Sequence, residues 1–305
     1  MNVIPTYVYL TLCVLFWAGN AIVGKMASGH IPAFTLSFWR WIIAFVIILP
    51  FGFRAVIREW HFFRSNWKFL CVIAFLSVTI YNTFQYWALN WTSAINVGIV
   101  SACLPFLILL LTAIAGHEKI NRFQWGGTAL AFLGVIYVIS RADIDVLVNF
   151  RVNLGDGLIL IAVIGWAIYS VLLKRVPAHI NQLGLLTVLI FLGIFGIIPF
   201  YAWDVIQGKT FALTFANALI LVYVSVFASV LAYVFWNHAV NVGGANLAGI
   251  FVNLIPGFIA LMAVLFLGER LETFHIIGIG LIFIGIYIAT ISARHRKAPT
   301  AKSGV

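Results

Sequence analysis

Charged side chains are scarce in this sequence. Asp, Glu, Lys and Arg make up 9% of the 305 residues, and only eight residues are acidic. Hydrophobic residues make up 64% of the chain, and the mean hydropathy is +1.10. So few charges cannot cover the surface of a soluble globular domain. We therefore expect an integral membrane protein.

Cysteine and the motifs of catalysis are also rare or missing. The three cysteines, Cys13, Cys71 and Cys103, fall within apolar segments and form no CxxC or Cys/His spacing. We therefore expect no disulfide and no metal site. The seven histidines are scattered, and neither HExxH nor GxSxG occurs. Without a nucleophile, a base or a ligand set, we predict that the protein is not an enzyme and needs no cofactor.

Long apolar runs dominate what remains. They are about 20 residues long, which suits helices that cross a bilayer and is twice the length of barrel strands. The predicted fold is an all-α integral membrane protein with ten transmembrane helices. The runs lie near residues 7–26, 33–53, 67–87, 94–115, 123–140, 156–174, 183–203, 214–236, 245–267 and 274–292.

One unit of sequence occurs twice. Residues 88–140 return as residues 239–291 at an offset of 151, with ten identities, and Trp17 meets Trp166 at an offset of 149. A repeat of this length determines the architecture. The predicted organisation is a first repeat over residues 1–140, a linker over 141–155, a second repeat over 156–292 and a basic tail over 293–305.

The basic residues predict how the two copies are oriented. Five helices in each copy would place the second copy upside down relative to the first. With the N-terminus inside, twelve basic residues fall on inner loops and the tail, and five fall outside. The positive-inside rule then places both termini in the cytoplasm. Glu118 and its repeat partner Glu269 would lie on opposite sides of the cell inner membrane.

Polar and aromatic side chains recur at matched positions of the two repeats. The third predicted helix carries them at i, i+3 and i+4, and the eighth carries aromatic and amide groups at the same register. Polar groups inside a membrane mark function by default, so we predict a central substrate cavity. Its predicted binding residues are Trp17, Asn20, Asn82, Gln85, Tyr86, Trp166, Tyr169, Tyr233, Trp236, Asn237 and Asn253.

Each of these residues also has a purely structural interpretation. A single Asn or Ser in a membrane helix often bonds a neighbouring helix. A Trp or Tyr near a helix end belongs to the interfacial aromatic belt. Only the recurrence of the pattern in both repeats favours a cavity.

Arg40 is the only full charge well inside a predicted helix. Two interpretations stay open: its side chain extends to the outer interface and braces the loops, or it binds a substrate carboxylate in the cavity. Acidic residues such as Asp156 and Glu59 fall at helix ends or in loops. A carboxylate at the membrane centre, which would carry protons in an antiporter, is therefore missing from the prediction.

Proline and glycine positions predict how the helices bend and pack. Pro105 and Pro256 occupy equivalent positions in the fourth and ninth predicted helices, where we expect kinks that act as hinges. Pairs of glycines seven residues apart place small residues on one face of the fifth and tenth helices. We expect these two helices to pack together. The glycines are Gly127, Gly134, Gly278 and Gly285.

Several segments together resemble the EamA family of the drug/metabolite transporter superfamily. They are WAGN at 17–20 with Lys25, FWRW around Arg40, Pro105 with Glu118, and LGERLETFHIIGIGLIFIGIYI at 267–288. The resemblance covers about residues 7–292. It implies ten helices in two inverted five-helix repeats, a central cavity, alternating access and, usually, export of amino acids or other metabolites. His117 departs from the glycine that the family more often has before Glu118.

The expected function is therefore secondary transport. We expect export of a small amphipathic metabolite, such as an aromatic or other neutral amino acid, by uniport or exchange. The alternatives are proton-coupled multidrug efflux and a non-transport membrane scaffold or receptor. The expected partners are a small-molecule substrate and the lipid bilayer, without nucleic acid, and the expected state is a monomer or weak homodimer.

Overall fold

The described part of the chain consists of helices joined by turns and short loops. The computed structural model describes residues 4–114, 122–145, 153–177, 179–243, 251–252 and 254–294. No strand occurs in these ranges. Helices bond their own N–H and C=O groups, which is what hydrocarbon surroundings require. The all-helical class predicted from the sequence is confirmed for these ranges.

Within the described residues, six helices are long and apolar enough to cross a bilayer, and four shorter apolar helices accompany them. A chain with several such helices is a multi-pass membrane protein. The six are Thr6–Ala27, Ala33–Arg58, Trp67–Ala88, Leu154–Leu173, Gln182–Ile206 and Phe215–Trp236. The four shorter helices are Ala94–Ile108, Trp125–Val138, Ile255–Leu267 and Thr273–Gly285.

These spans are divided into α-helical and π-helical segments. Three π-helical segments, Phe75–Ile80, Tyr223–Leu231 and Ala263–Leu267, interrupt or end them. In chain order the α-helical segments are α1 (Ile4–Ala27), α2 (Ala33–Arg58), α3 (Trp60–Ser65), α4 (Trp67–Ala74), α5 (Tyr81–Ala88), α6 (Ala94–Ser101), α7 (Leu104–Ile114), α8 (Arg122–Ile139), α9 (Leu154–Leu173), α10 (Gln182–Ile206), α11 (Phe215–Val222), α12 (Ala232–Gly243), α13 (Ile255–Met262) and α14 (Thr273–Arg294).

Helices α2 and α10 pack against each other in antiparallel orientation. Phe38, in the second turn of α2, stacks on Tyr201, near the end of α10, with ring centroids 4.2 Å apart. At the opposite end, Gly184 near the start of α10 lies against Ala55 of α2. These two helices are the second of each predicted repeat. Their contact therefore joins the two halves of the chain.

A carboxylate at the end of each of these helices caps the start of the other. Asp204, in the last turn of α10, accepts a hydrogen bond from the Thr35 N–H in the first turn of α2 at 3.1 Å. Glu59, directly after α2, accepts one from the N–H of Asn181, the residue before α10, at 2.9 Å. The first N–H groups of a helix lack partners within the helix and attract negative charge. The two caps thus stabilise both ends of the pair.

Helices α8 and α14 meet through glycine, as the sequence predicts. A Cβ atom placed on Gly285 would lie 2.5 Å from the backbone N of Ala131 and would also meet the carbonyl oxygen of Gly127. One placed on Gly278 would lie 3.1 Å from the carbonyl oxygen of Gly134. The two backbones therefore approach more closely than any side chain would allow. This prediction from glycine spacing is confirmed.

The two predicted hinge prolines each lie in the first turn after an interruption of the helix. Helix α6 ends before a two-residue turn, and Pro105 is the second residue of the next helix, α7. Pro256 is likewise the second residue of α13, directly after the turn at Leu254. Proline suits the first turn because its missing N–H would have no partner there. The helices are thus interrupted at these equivalent positions, and the hinge role of the two prolines stays a prediction.

Two π-helical segments lie at equivalent positions of the predicted repeats. At the offset of 151, the segment Phe75–Ile80 falls within the range of Tyr223–Leu231. Such widened turns are often found at functional sites, since they displace carbonyl groups from the regular ladder. Both segments directly precede the polar faces of α5 and α12. The sequence prediction treated these spans as regular helices.

Candidate functional site

Aromatic side chains from both halves of the chain meet around Trp166 of α9. Its ring centroid lies 5.7 Å from that of Trp17, 5.5 Å from that of Tyr233 and 4.7 Å from that of Tyr81. The first two contacts are edge-to-face, at 80° and 86°, which is a favoured arrangement of aromatic rings. We call the group the aromatic cluster. Its members are Trp17, Tyr81, Trp166, Tyr169, Tyr233 and Trp236.

A small cavity lies beside the aromatic cluster. Its free volume is about 10 Å³, which is roughly the space that one water molecule needs. The lining residues come from both predicted repeats and include residues next to both helix breaks. They are Trp17, Tyr81, Ser101, Leu104, Val163, Trp166, Val252 and Ile255.

Most of these lining residues are related by the sequence repeat. Ser101 and Val252 are 151 residues apart, as are Leu104 and Ile255, while Trp17 and Trp166 are 149 apart. Equivalent side chains therefore face one cavity from both halves of the chain. At this volume the cavity is closed to any metabolite.

The structure brings together five of the eleven residues predicted to bind substrate, Trp17, Trp166, Tyr169, Tyr233 and Trp236. Asn82 and Gln85 are buried, at 1% and 5% exposure. Asn82 Nδ2 donates to the Ser77 carbonyl at 3.1 Å, and the Asn82 side chain lies beside the Tyr233 hydroxyl. Asn20 and Tyr86 are bonded to Arg40 instead. Asn253 and the side chain of Asn237 lie outside what the structure describes.

Arg40 is the centre of a buried hydrogen-bond network. Its Nε donates to Ser229 Oγ at 2.6 Å, and its Nη1 donates to Tyr86 OH at 2.6 Å and to Asn20 Oδ1 at 3.2 Å. Its Nη2 donates to the carbonyl oxygen of Ala228, within a π-helical segment, at 3.2 Å. One guanidinium thus links α1, α2, α5 and the second half of the chain.

The side chain of Arg40 is enclosed by other side chains and is 1% exposed. Of the two interpretations left open by the sequence, extension outward to brace the loops therefore does not describe this structure. In the described ranges two ion pairs occur, Arg58 with Glu59 and Lys209 with Asp204, and neither includes Arg40. Its positive charge therefore faces neutral oxygen atoms and the rings of Trp41 and Tyr86 there, without a carboxylate, which is a costly arrangement in a buried site.

A second polar network lies at one end of the helix bundle. Thr92 Oγ1 donates to Asp156 Oδ1 at 2.5 Å, and Asn96 Nδ2 donates to the same atom at 3.3 Å. The Glu272 N–H donates to His275 Nδ1, so His275 Nε2 carries the proton that it shares with Asn96 Oδ1 at 3.0 Å. Asp156 lies at a helix end, as predicted, but its complete burial was not predicted.

The same network holds the start of α6. Glu269 accepts hydrogen bonds from the first two N–H groups of α6, at 2.9 and 3.1 Å. Lys25 Nζ donates to the two carbonyl groups of Leu89 and Thr92, each at 2.8 Å. We call this network the polar lock, because it ties α1, α9 and α14 to the break between α5 and α6. Its members are Lys25, Thr92, Asn96, Asp156, Glu269 and His275.

Two features of the site were missed for identifiable reasons. Tyr81 packs on Trp166, but its repeat partner is Ala232, so a search for matched polar positions passes over it. Asp156 stands three residues after Asn153, which caps α9 through its side chain. An acid at that position usually faces solvent near a helix start, and only the tertiary structure shows that this one is covered.

Comparison with known proteins now decides the family. A model of the EamA-like transporter family matches residues 4–140 and 153–291. The chain belongs to this family. Membership makes it a transporter-family protein of the membrane, in agreement with its apolar helices. The resemblance found in the sequence is therefore confirmed.

Relatives that align over nearly the whole chain are named as transporters. The chain is 28% identical to an "Uncharacterized transporter" of Archaeoglobus fulgidus over 289 residues, covering 93% of this chain and 97% of the relative. It is 26% identical to a "Probable amino-acid metabolite efflux pump" of Escherichia coli over 302 residues, covering 94% and 95%. A solved structure titled "Crystal structure of protein" superposes with a TM-score of 0.65 at 18% identity, covering 96% of this chain and 99% of that chain. This last likeness shows the shared fold.

Proposed function

We propose that this protein exports a small amphipathic metabolite across the cytoplasmic membrane by alternating access, as a uniporter or exchanger. The observation that carries the proposal is the closed cavity between the two helix breaks, lined by repeat-related residues and bordered by the aromatic cluster. Relatives named as amino-acid metabolite efflux pumps support export of an amino acid, aromatic or otherwise neutral. We propose that it acts as a monomer or weak homodimer.

We further propose ten transmembrane helices in two inverted repeats of five, with both termini in the cytoplasm. The antiparallel packing of α2 on α10 supports inversion, because these are equivalent helices of the two predicted repeats. The reciprocal caps by Asp204 and Glu59 add a second sign of twofold symmetry. The predicted excess of basic residues on the inner loops supports the orientation.

Transport requires the closed cavity to open alternately to each side. With room for about one water molecule, it must widen before a metabolite enters. The breaks before Pro105 and Pro256 allow the adjoining helices to move, since the helix hydrogen bonds are already interrupted there. The polar lock closes one end, and in the proposed orientation that end faces outward.

The aromatic cluster is expected to select for substrates with an aromatic ring. In proteoliposomes, Trp166→Leu should reduce L-phenylalanine uptake relative to L-leucine uptake by about tenfold, because it removes several ring contacts of the size that aromatic pairs contribute. Counterflow of the two radiolabelled amino acids measures the ratio. Measuring both substrates on one preparation corrects for any loss of folded protein.

Trp203 offers a matched control for that change. Its side chain is 57% exposed on α10, so Trp203→Leu should leave the ratio unchanged. If both variants shift the ratio equally, the aromatic cluster does not select the substrate. If wild-type protein moves no amino acid, nucleoside or cationic dye, the chain is a scaffold or receptor and the transport proposal fails.

One observation favours a second candidate function, proton-coupled export of drugs or metabolites. The Asp156 carboxyl is fully buried and, among the described residues, receives hydrogen bonds only from the neutral side chains of Thr92 and Asn96. The positive charge of Arg141 attracts the Asp156 carboxylate without a direct hydrogen bond. Chains of Asp and His groups carry protons in many membrane carriers, and His275 continues this one through Asn96.

Substituting Asp156 with Asn distinguishes the two candidates. Under uniport or exchange, we expect collapse of the pH gradient with nigericin to leave wild-type flux unchanged, and Asp156→Asn to respond in the same way. Under proton coupling, nigericin would abolish accumulation in inverted vesicles. Asp156→Asn would then lose gradient-driven accumulation and retain counterflow exchange, which needs no net proton movement.

A further inference from the structure

Four buried side-chain atoms have no hydrogen-bond partner within the described part of the chain. They are Trp41 Nε1, Gln85 Oε1, Ser225 Oγ and Tyr233 OH. Buried polar groups are nearly always bonded, because leaving one unpaired costs free energy. Three of the four can donate a hydrogen bond. If these three donors lie close together, a bound molecule can supply the acceptor that they lack.

The three residues that carry these donors lie near Arg40. The Trp41 ring centroid lies 5.0 Å from Arg40 Cζ, and the Tyr233 ring lies 5.7 Å from the Trp41 ring. Ser225 stands one helical turn before Ser229, which accepts the Arg40 Nε hydrogen bond. The donors therefore belong to one region, at the border between the Arg40 network and the aromatic cluster.

Arg40 itself retains a donor for a ligand. Its guanidinium has five N–H groups, and its Nη2, which has two of them, makes a single hydrogen bond, to the Ala228 carbonyl. Among the described residues, at least one N–H of this nitrogen therefore has no acceptor. The other partners, Ser229, Asn20 and Tyr86, are neutral, so the region holds a net positive charge. A compact anion would neutralise the charge and bond the free donors together.

We propose that Arg40, Trp41, Ser225 and Tyr233 form an anion-recognition site and that the transported substrate is an aromatic or apolar carboxylate. The inference rests on the proposed transport function and specifies its substrate class. The carboxylate would accept from the guanidinium and the three donors, as charged hydrogen bonds favour, while the apolar part enters the aromatic cluster. An ammonium group on the substrate is dispensable, since within the described ranges no acidic side chain bonds any of these four residues.

Ser225 and Tyr233 allow a test that spares the fold. Within the described residues neither hydroxyl has a partner at hydrogen-bond distance, although the Asn82 side chain lies beside Tyr233. Ser225→Ala and Tyr233→Phe therefore remove a poorly bonded polar group and should lower stability little. Each should weaken binding of 3-phenylpropionate about tenfold or more, the loss of one hydrogen bond to a charged group. Ser37→Ala is the matched control, since Ser37 Oγ and Thr83 Oγ1 share a buried bond of 2.8 Å. It should lower the melting temperature without changing affinity.

The experiment measures binding and transport separately with four probes. Purified wild-type protein and the three variants are titrated with 3-phenylpropionate, L-phenylalanine, L-phenylalaninamide and phenethylamine, following tryptophan fluorescence, and melting temperatures are recorded in parallel. The first two probes carry a carboxylate and should bind, and the last two should bind much more weakly. Uptake of the same probes into proteoliposomes is then measured.

Each result decides one of the two ideas. Equal affinity for phenethylamine and 3-phenylpropionate, or equal weakening of all probes by Tyr233→Phe, would overturn the anion site. Failure of all four probes to bind would overturn it as well. Binding of 3-phenylpropionate that Ser225→Ala and Tyr233→Phe weaken, without uptake of any probe, would support the anion site and refute transport. If both variants take up phenylalanine as well as wild type does, transport is supported and the anion site is refuted.

Discussion

Replacing Arg40 with methionine is expected to destabilise the folded protein strongly. The change removes one donor from four buried oxygens, on Asn20, Tyr86, Ala228 and Ser229. Asn20 Oδ1 keeps the hydrogen bond from Tyr86 at 2.7 Å, and the other three lose the bond from Arg40. Leaving a buried acceptor unpaired costs about 1 to 3 kcal/mol, and folded proteins are stable by only about 5 to 15 kcal/mol. Removing the cation also removes its desolvation cost, which offsets part of the loss. We expect the remainder to lower the melting temperature of purified protein strongly, as followed by fluorescence size-exclusion chromatography.

Two further variants make this result specific. Arg58→Met removes an arginine side chain that is 69% exposed and pairs with Glu59 at the surface, so it should leave the melting temperature nearly unchanged. Arg40→Lys keeps the charge but lacks the planar fork of donors, and it should fall between wild type and methionine. A methionine variant as stable as wild type would show that Arg40 serves only a ligand and does not hold the helices together.

The sequence allowed the helix pairing to be predicted where spacing alone carries the information. Glycines seven residues apart can only line one face of a helix, and Gly278 and Gly285 do face α8. The break positions were also marked by proline, although the sequence could not show whether Pro105 bends a helix or starts one. In the structure two turn residues, Ala102 and Cys103, separate α6 from α7, and Pro105 is the second residue of α7.

The partners of Arg40 could not be predicted from the sequence. Ser229 lies 189 residues away along the chain and Tyr86 lies 46 away, and no local pattern brings them together. The Ala228 carbonyl is offered by a π-helical segment that hydropathy treats as a regular helix. The sequence therefore marked Arg40 as unusual without showing its surroundings. Its side chain does not extend outward, because neutral oxygens from three helices accept most of its hydrogen bonds.

Most of the aromatic cluster was predicted, because both repeats carry aromatic groups at matched registers. Trp17 and Trp166 meet directly, as two equivalent residues near a twofold axis would. Asn20 is different, since its repeat partner Tyr169 faces the cluster while Asn20 bonds Arg40. Matched positions in the sequence thus place backbones together, and the side chains that differ determine which half contributes rings and which contributes the charge.

The close packing of α8 on α14 leads to the second large expected effect. Gly285→Val would place side-chain atoms against the backbone of Gly127 and Ala131, which cannot rotate away as a flexible side chain can. Overpacking of this kind costs about 1 to 3 kcal/mol or more. In a bilayer, lipid is as apolar as the helix, so separated helices gain no hydrophobic force that returns them to contact. We expect α8 and α14 to separate and the protein to unfold at a much lower temperature.

Gly280 of the same helix provides the matched control for this prediction. A Cβ atom there would meet no other atom within 4 Å, so Gly280→Val has the same change in helix propensity without the clash. Its melting temperature should equal or slightly exceed that of wild type, because glycine is the weaker helix former. If the two variants melt together, the glycine contact does not hold α8 against α14. If only Gly285→Val is destabilised, close approach of the two backbones holds α8 against α14.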